Sequence, residues 1–240
     1  MNLQIVSLGL IEYNVAFRLQ EILLELRQEN AIDDILLLLE HPPVITMGKR
    51  GQTSHVHLTQ QQLKALGASL VTTNRGGDVT YHGPGQIVGY PIMDLKLHGK
   101  SVRKFIFNIE EVFIQLLKDY SIEAVRDPQY TGVWVGNDKI TAIGFAIKRW
   151  VSMHGFALNV NTNLTHFNWI TPCGITDRGT TSLEKLLGQK QDLKAVMLKL
   201  SQKFCEVFDL IPQWLTVDEL ASLFKEKGVT DQCISENLVG

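Results

Sequence analysis

The segment Asp34-Ile-Leu-Leu-Leu-Leu-Glu40 runs straight into His41-Pro42-Pro43. Five consecutive aliphatic residues with no polar alternation read as a buried strand. The two prolines that follow must end any regular structure, because proline lacks the N–H and restricts the residue before it. This is the longest apolar run in the chain, far short of the roughly 20 residues a helix needs to span a bilayer. The N-terminus, Met1 to Leu10, has no Lys or Arg ahead of its apolar residues, so it makes a poor signal peptide. The three cysteines, Cys173, Cys205 and Cys233, are an odd and scattered set. They argue against a disulfide scaffold and for a reducing, cytoplasmic compartment.

Around that strand the pattern is mixed. Residues 14–29 carry a helical stripe of Ala16, Leu19, Leu23 and Leu26, widened by Phe17 and Ile22. A short helix at 59–66 and strands at 69–73 and 86–93 follow. Ser101 is placed to cap a long amphipathic helix whose core face holds Phe105, Ile109, Val112, Phe113, Leu116 and Leu117. Gly136-Asn137-Asp138 reads as a hairpin turn between 132–135 and 140–147, and a further strand fits 151–160. The last third reads as helical, with capping boxes at Thr181-x-x-Glu184 and Thr216-x-x-Glu219 and a stop at Gly228. Strands in the middle with helices around them give an α+β (mixed α/β) class, not a doubly wound fold. The 240 residues suit a single domain over 1–240, with its C-terminal helices at 190–228. The net charge of −2 argues against a nucleic-acid binder working by bulk charge.

The densest chemistry lies in Arg75-Gly76-Gly77-Asp78-Val79-Thr80-Tyr81-His82-Gly83-Pro84-Gly85-Gln86. Its glycines permit close backbone approach to a ligand, though Gly-Pro-Gly also suits a plain surface turn. The glycine spacing does not match GxGxxG, and no GxxxxGK[ST] occurs, so a standard phosphate loop is not expected. Arg75 is available to hold an anionic group, and His82 to hydrogen-bond a carbonyl or phosphate.

Cys173 sits between Pro172 and Gly174 in a loop, where a thiol is exposed to do chemistry. Cys205 lies instead in the apolar stripe of Phe204 and Phe208, as a core residue does. Three residues are candidates to activate Cys173: His82, His154 and Lys139. Sequence spacing does not choose among them. Cys173, His55, His57 and His41 do not have the spacing of a zinc finger or ribbon, so no metal site is expected.

Five motifs then occur in order: Glu40-His-Pro-Pro-Val-Ile-Thr-Met-Gly-Lys-Arg-Gly51, the 75–86 run, Lys139-Ile-Thr-Ala-Ile-Gly144, His154-Gly-Phe-Ala-Leu-Asn-Val160, and Thr171-Pro-Cys-Gly-Ile175 with Thr181-Ser-Leu183. Over residues 35 to 185 the chain resembles the lipoyl(octanoyl) transferase family. The resemblance implies a biotin/lipoate protein ligase-like catalytic domain, a mixed sheet packed by helices. It implies octanoyl-acyl carrier protein as donor and, as acceptors, lipoyl domains of 2-oxoacid dehydrogenase complexes and the glycine-cleavage H protein. No cofactor, nucleic acid or membrane is implied, and the expected state is a monomer.

By the same resemblance Cys173 is the acyl-thioester nucleophile. Lys139 is implied as its partner, and the expectation is that it lowers the Cys173 pKa and shuttles its proton. Arg75, Gly76, Gly77, Asp78, Val79, Thr80, Tyr81, His82, Ala142, Ile143, Gly144, Gly155, Phe156 and Ala157 are the substrate-binding set. Other readings are an ATP-dependent lipoate or biotin ligase on the same fold, a binding module without turnover, and a cysteine hydrolase using His82 or His154.

Overall fold

The protein is described by a computed structural model covering residues 1–174 and 177–230. Cys173 is described by its backbone alone, and Cys233 lies outside the described residues. In chain order the strands are β1 (Asn2–Leu10), β2 (Asp34–Glu40), β3 (Val44–Met47), β4 (Ser69–Thr72), β5 (Val79–His82), β6 (Gln86–Ile92), β7 (Val125–Arg126), β8 (Val133–Val135), β9 (Asp138–Lys148), β10 (Val151–Asn159), β11 (Gly179–Thr180) and β12 (Ile211–Leu215). The helices are α1 (Tyr13–Gln28), α2 (Gln60–Ala65), α3 (Val102–Lys118), α4 (Leu183–Leu187), α5 (Leu193–Phe208) and α6 (Val217–Glu226).

The main sheet runs β12-β1-β2-β6-β10-β9-β8-β7, with β11 added on β9, and β4-β3-β5 form a smaller sheet. The aliphatic run of β2 is central, parallel to β1 and antiparallel to β6. Its alternate leucines serve two cores. Leu36 and Leu38 pack with α3 and α5, while Ile35, Leu37 and Leu39 pack with α1 and α6. Burial on both faces explains the absence of polar alternation. The smaller sheet has its own apolar cluster, which includes Ile45, Leu63, Val79, Tyr81 and Ile170.

Local signals were realised closely. Ser101 caps α3 through Lys104 N–H at 3.2 Å. Thr216 forms the expected capping box with Glu219, and Gly228 follows α6 at φ 73°. Arg149 and Trp150 both take positive φ between the paired Lys148 and Val151, as a two-residue hairpin turn requires.

Two readings need correction. The cap of α4 is Ser182, not Thr181: its hydroxyl accepts from Lys185 N–H at 3.2 Å, one residue later than the box pattern. The last third is not wholly helical, because Ile211–Leu215 is an edge strand parallel to β1. Pro212 lies in it, and an edge strand tolerates proline where a central strand would not.

Candidate active site

Strands β9 and β10 lay down the floor of the site. Their register sets Ala142 opposite Ala157 and Gly144 opposite Gly155. Four adjacent positions thus carry at most a methyl group, which leaves a trough on the sheet. Gly155 has no alternative, since a Cβ there would lie 2.0 Å from Gly89 O of the neighbouring strand. All four residues line a cavity of about 560 Å³. β8 pairs with β9 as far as Thr141. Past that point β9 is met on the same side by Gly76, whose N–H donates to Phe145 O at 2.9 Å.

The wall is the glycine-rich run, and Arg75 holds it in place. The guanidinium is buried and donates to Thr46 O at 2.6 Å, Asp78 O at 2.8 Å, Gly76 O at 3.0 Å and Thr46 Oγ1 at 3.1 Å. The Glu40–Gly51 motif supplies the other half of the clamp. Gly48, Lys49 and Arg50 donate backbone N–H bonds to Asp78 O, Arg75 O and Gly77 O at 2.8, 2.9 and 3.0 Å. Gly48 must be glycine, because a Cβ would meet Gly77 O at 2.6 Å. These bonds from Arg75 go to main-chain carbonyls and a hydroxyl, a structural role beside the anion-holding one expected from the sequence.

Of the substrate-binding set, all but Val79 and Tyr81 line this cavity. β5 alternates: Thr80 and His82 face the cavity while Val79 and Tyr81 are sealed in the small-sheet core. Tyr81 is tied to His166, its hydroxyl 2.6 Å from Nδ1.

The histidines named as candidate bases are held neutral. His82 Nδ1–H donates to Gln86 Oε1 at 2.8 Å, and Gln86 in turn donates to Asn159 Oδ1 at 2.9 Å. Burial, reinforced by His41 and Arg75, pushes the His82 pKa down to about 3. His154 takes φ 61° in β10 and bonds Asn74 Oδ1 at 2.5 Å. Burial, with Arg75 and Lys49 adding to it, brings its pKa to about 3. His41 donates from Nδ1 to Ile11 O at 2.7 Å and accepts from Tyr90 O–H at 2.7 Å, with a pKa brought by burial to about 4. These rings suit fixed hydrogen bonding better than proton exchange at neutral pH.

Lys139 Nζ donates to Thr131 O at 3.2 Å and lies 4.7 Å over the Trp134 ring. It stands where two cavities meet. The second, of about 470 Å³, shares Thr80, Lys139, Ala142 and Ala157 with the first and is lined further by Trp134, Thr171 and Pro172.

The backbone turn Pro172–Gly174 is strung between two fixed points. On one side Thr171 N–H donates to His55 O at 2.8 Å. On the other, Gly179 and Thr180 pair with Asp138 and Lys139, and Thr181 N–H donates to Lys139 O at 3.0 Å. The side chain of Cys173 lies outside the described residues.

One pair of side chains here had no sequence signal. His55 Nδ1–H donates to Asp78 Oδ2 at 2.5 Å, and Gln52 N–H donates to Asp78 Oδ1 at 3.1 Å. The His55 ring also meets the cysteine turn, since a Cβ on Gly174 would lie 3.1 Å from its Cε1 and 3.5 Å from its Nε2. His55 and Asp78 are 23 positions apart, with no periodicity to link them. Among the described residues no group of His, Cys, Asp and Glu is arranged to hold a metal ion.

Comparison with known proteins agrees with this geometry. The lipoyl protein ligase A/B catalytic domain family matches residues 12–205. An octanoyltransferase of Desulforamulus reducens is 56% identical over 89% of this chain and 94% of its own length. One of Caldicellulosiruptor saccharolyticus is 53% identical over 95% of this chain and 97% of its own. Among solved structures, P. falciparum LipL1 in complex with lipoate superposes with a TM-score of 0.74 over 99% of this chain and 71% of the other. At 15% identity that match speaks for the fold alone. The chain therefore belongs to the lipoyl protein ligase A/B catalytic-domain family, with the octanoyltransferases, and is an acyltransferase.

Proposed function

We propose that this protein moves an octanoyl group from octanoyl-acyl carrier protein to a lysine of lipoyl domains, through a thioester on Cys173. The observation that carries this reading is the turn bearing Cys173, tethered at Lys139 on one side and at His55 on the other, with Thr171 and Pro172 lining the cavity that shares Lys139, Ala142 and Ala157 with the trough. Burying an octanoyl tail at about 0.8 kcal/mol per methylene offers up to about 5 kcal/mol of binding. Exchange of one thioester for another is nearly balanced, and aminolysis of the second runs downhill to an amide. No nucleotide is needed, in keeping with the missing phosphate-loop motif.

Lys139 contributes more as a proton carrier than as a charge. A free thiol with a pKa of about 8.5 is only about 3% thiolate at pH 7. Lowering that pKa by about two units raises the thiolate fraction about 25-fold, but weakens the nucleophile about 8-fold at a Brønsted slope of about 0.45. The net gain is only about 3-fold. Handing a proton to the departing pantetheine sulfur, and later taking one from the acceptor ammonium, offers more. The acceptors are the lipoyl domains of 2-oxoacid dehydrogenase complexes and the glycine-cleavage H protein.

The test is intact-mass measurement after incubation with octanoyl-acyl carrier protein. An octanoyl adduct is expected that is absent in Cys173→Ser and discharges onto an apo lipoyl domain without ATP. A strict ATP requirement, or free octanoate as the main product, would overturn the reading.

A further inference from the structure

Proton accounting exposes a task that Lys139 cannot complete alone. In the first half-reaction the Cys173 thiolate attacks the donor carbonyl, the bond to pantetheine sulfur breaks, and Lys139 gives its proton to that sulfur. In the second, neutral Lys139 takes one proton from the acceptor ammonium. The amine nitrogen then forms the C–N bond and the C–S bond to Cys173 breaks, returning the thiolate. The nitrogen must still lose one more proton to become an amide. Lys139 is by then fully protonated, so the proton goes either to the departing Cys173 thiolate or to a second base, and a second base leaves the thiolate free for the next turnover.

The geometry points to His55, oriented by Asp78, as that second base, with Nε2 taking the proton released as the amide forms. Asp78 accepts from Nδ1–H, which fixes the tautomer and leaves the lone pair on Nε2. Asp78 is itself fixed by Gln52 N–H, and its carbonyl is held by Arg75 and Gly48. The Cε1–Nε2 edge of the ring lies against the turn that carries Cys173, at the Gly174 position. His55, Asp78 and Lys139 all line the same cavity, so the two bases flank one reaction space. The His55 side chain is 23% exposed, which gives the imidazolium a route to pass its proton to water.

The inference rests on the Cys173 thioester reading, and the two half-reactions separate their failures. Wild-type protein that forms no adduct would sink that reading. Given an adduct, discharge of isolated octanoyl-enzyme onto an apo lipoyl domain is timed by rapid-quench mass spectrometry for wild type, His55→Gln and His55→Ala. Discharge is expected to slow on the order of 100-fold in both variants, while adduct formation loses far less. Added imidazole is expected to restore discharge in His55→Ala, where it can occupy the space of the lost ring, and not in His55→Gln. Discharge within about threefold of wild type, or an equal loss in both half-reactions, would overturn the role of His55. A merely structural histidine would slow both halves alike and would not respond to imidazole.

Discussion

Replacing Arg75 with lysine separates a clamp from an anion site. The guanidinium reaches Thr46 O, Asp78 O, Gly76 O and Thr46 Oγ1, which belong to β3 and to two points of the glycine-rich wall. A lysine keeps the charge but offers its donors from a single nitrogen, so it cannot span groups that a planar fork bridges. Losing two such bonds at about 1.5 kcal/mol each costs about 3 kcal/mol. For a domain of this size that corresponds to a Tm lower by about 6–12 °C. The same change loosens Asp78, and through it His55. Thermal and urea unfolding of Arg75→Lys, run beside steady-state transfer kinetics, give both quantities. The expected result is the stated loss of stability together with a fall in kcat. A variant as stable as wild type, whose only defect is a raised KM for the donor, would refute the clamp and support the reading in which Arg75 holds an anion.

Acid should unfold this protein early. His41, His82 and His154 have folded pKa values of about 4, 3 and 3, against about 6.5 in an unfolded chain. Below pH 6.5 the unfolded chain therefore binds protons that the folded one refuses. Stability is full above that pH and falls by about 1.4 kcal/mol per pH unit per histidine as pH drops toward 4. Urea midpoints measured from pH 7 to pH 5 should report a proton uptake on unfolding that rises from below one near pH 7 to about three near pH 5, and an uptake still below one at pH 5 would contradict this account. For Lys139→Arg, which keeps the charge but cannot exchange a proton near neutral pH, transfer should fall by at least about 100-fold across the pH–rate profile. Near-wild-type rates in that variant would leave charge alone sufficient.

Sequence and structure divide this protein along a physical line. Elements whose signal is local were legible: the clipped aliphatic run of β2, the Ser101 and Thr216 caps, and the hairpin at Gly136. Each depends on a period or on a bond to a residue three or four positions away. The five motifs likewise carried the family resemblance, and most of the residues it named meet at one cavity.

What the sequence could not decide was anything settled by a distant partner. Ile211–Leu215 becomes a strand because β1 offers it an open edge, against the helical reading of its surroundings. Val79 and Tyr81 leave the site because β5 must bury one face in the small sheet. Arg75 becomes a clamp because Thr46 lies across from it, 29 positions away in the chain. His55 finds Asp78, and the cysteine turn is strung between His55 and Lys139, through main-chain bonds that join separate motifs. The chemistry available was written in residue types and short spacings. Which groups meet was decided by strand register and chain crossings, which bring together positions no periodicity connects.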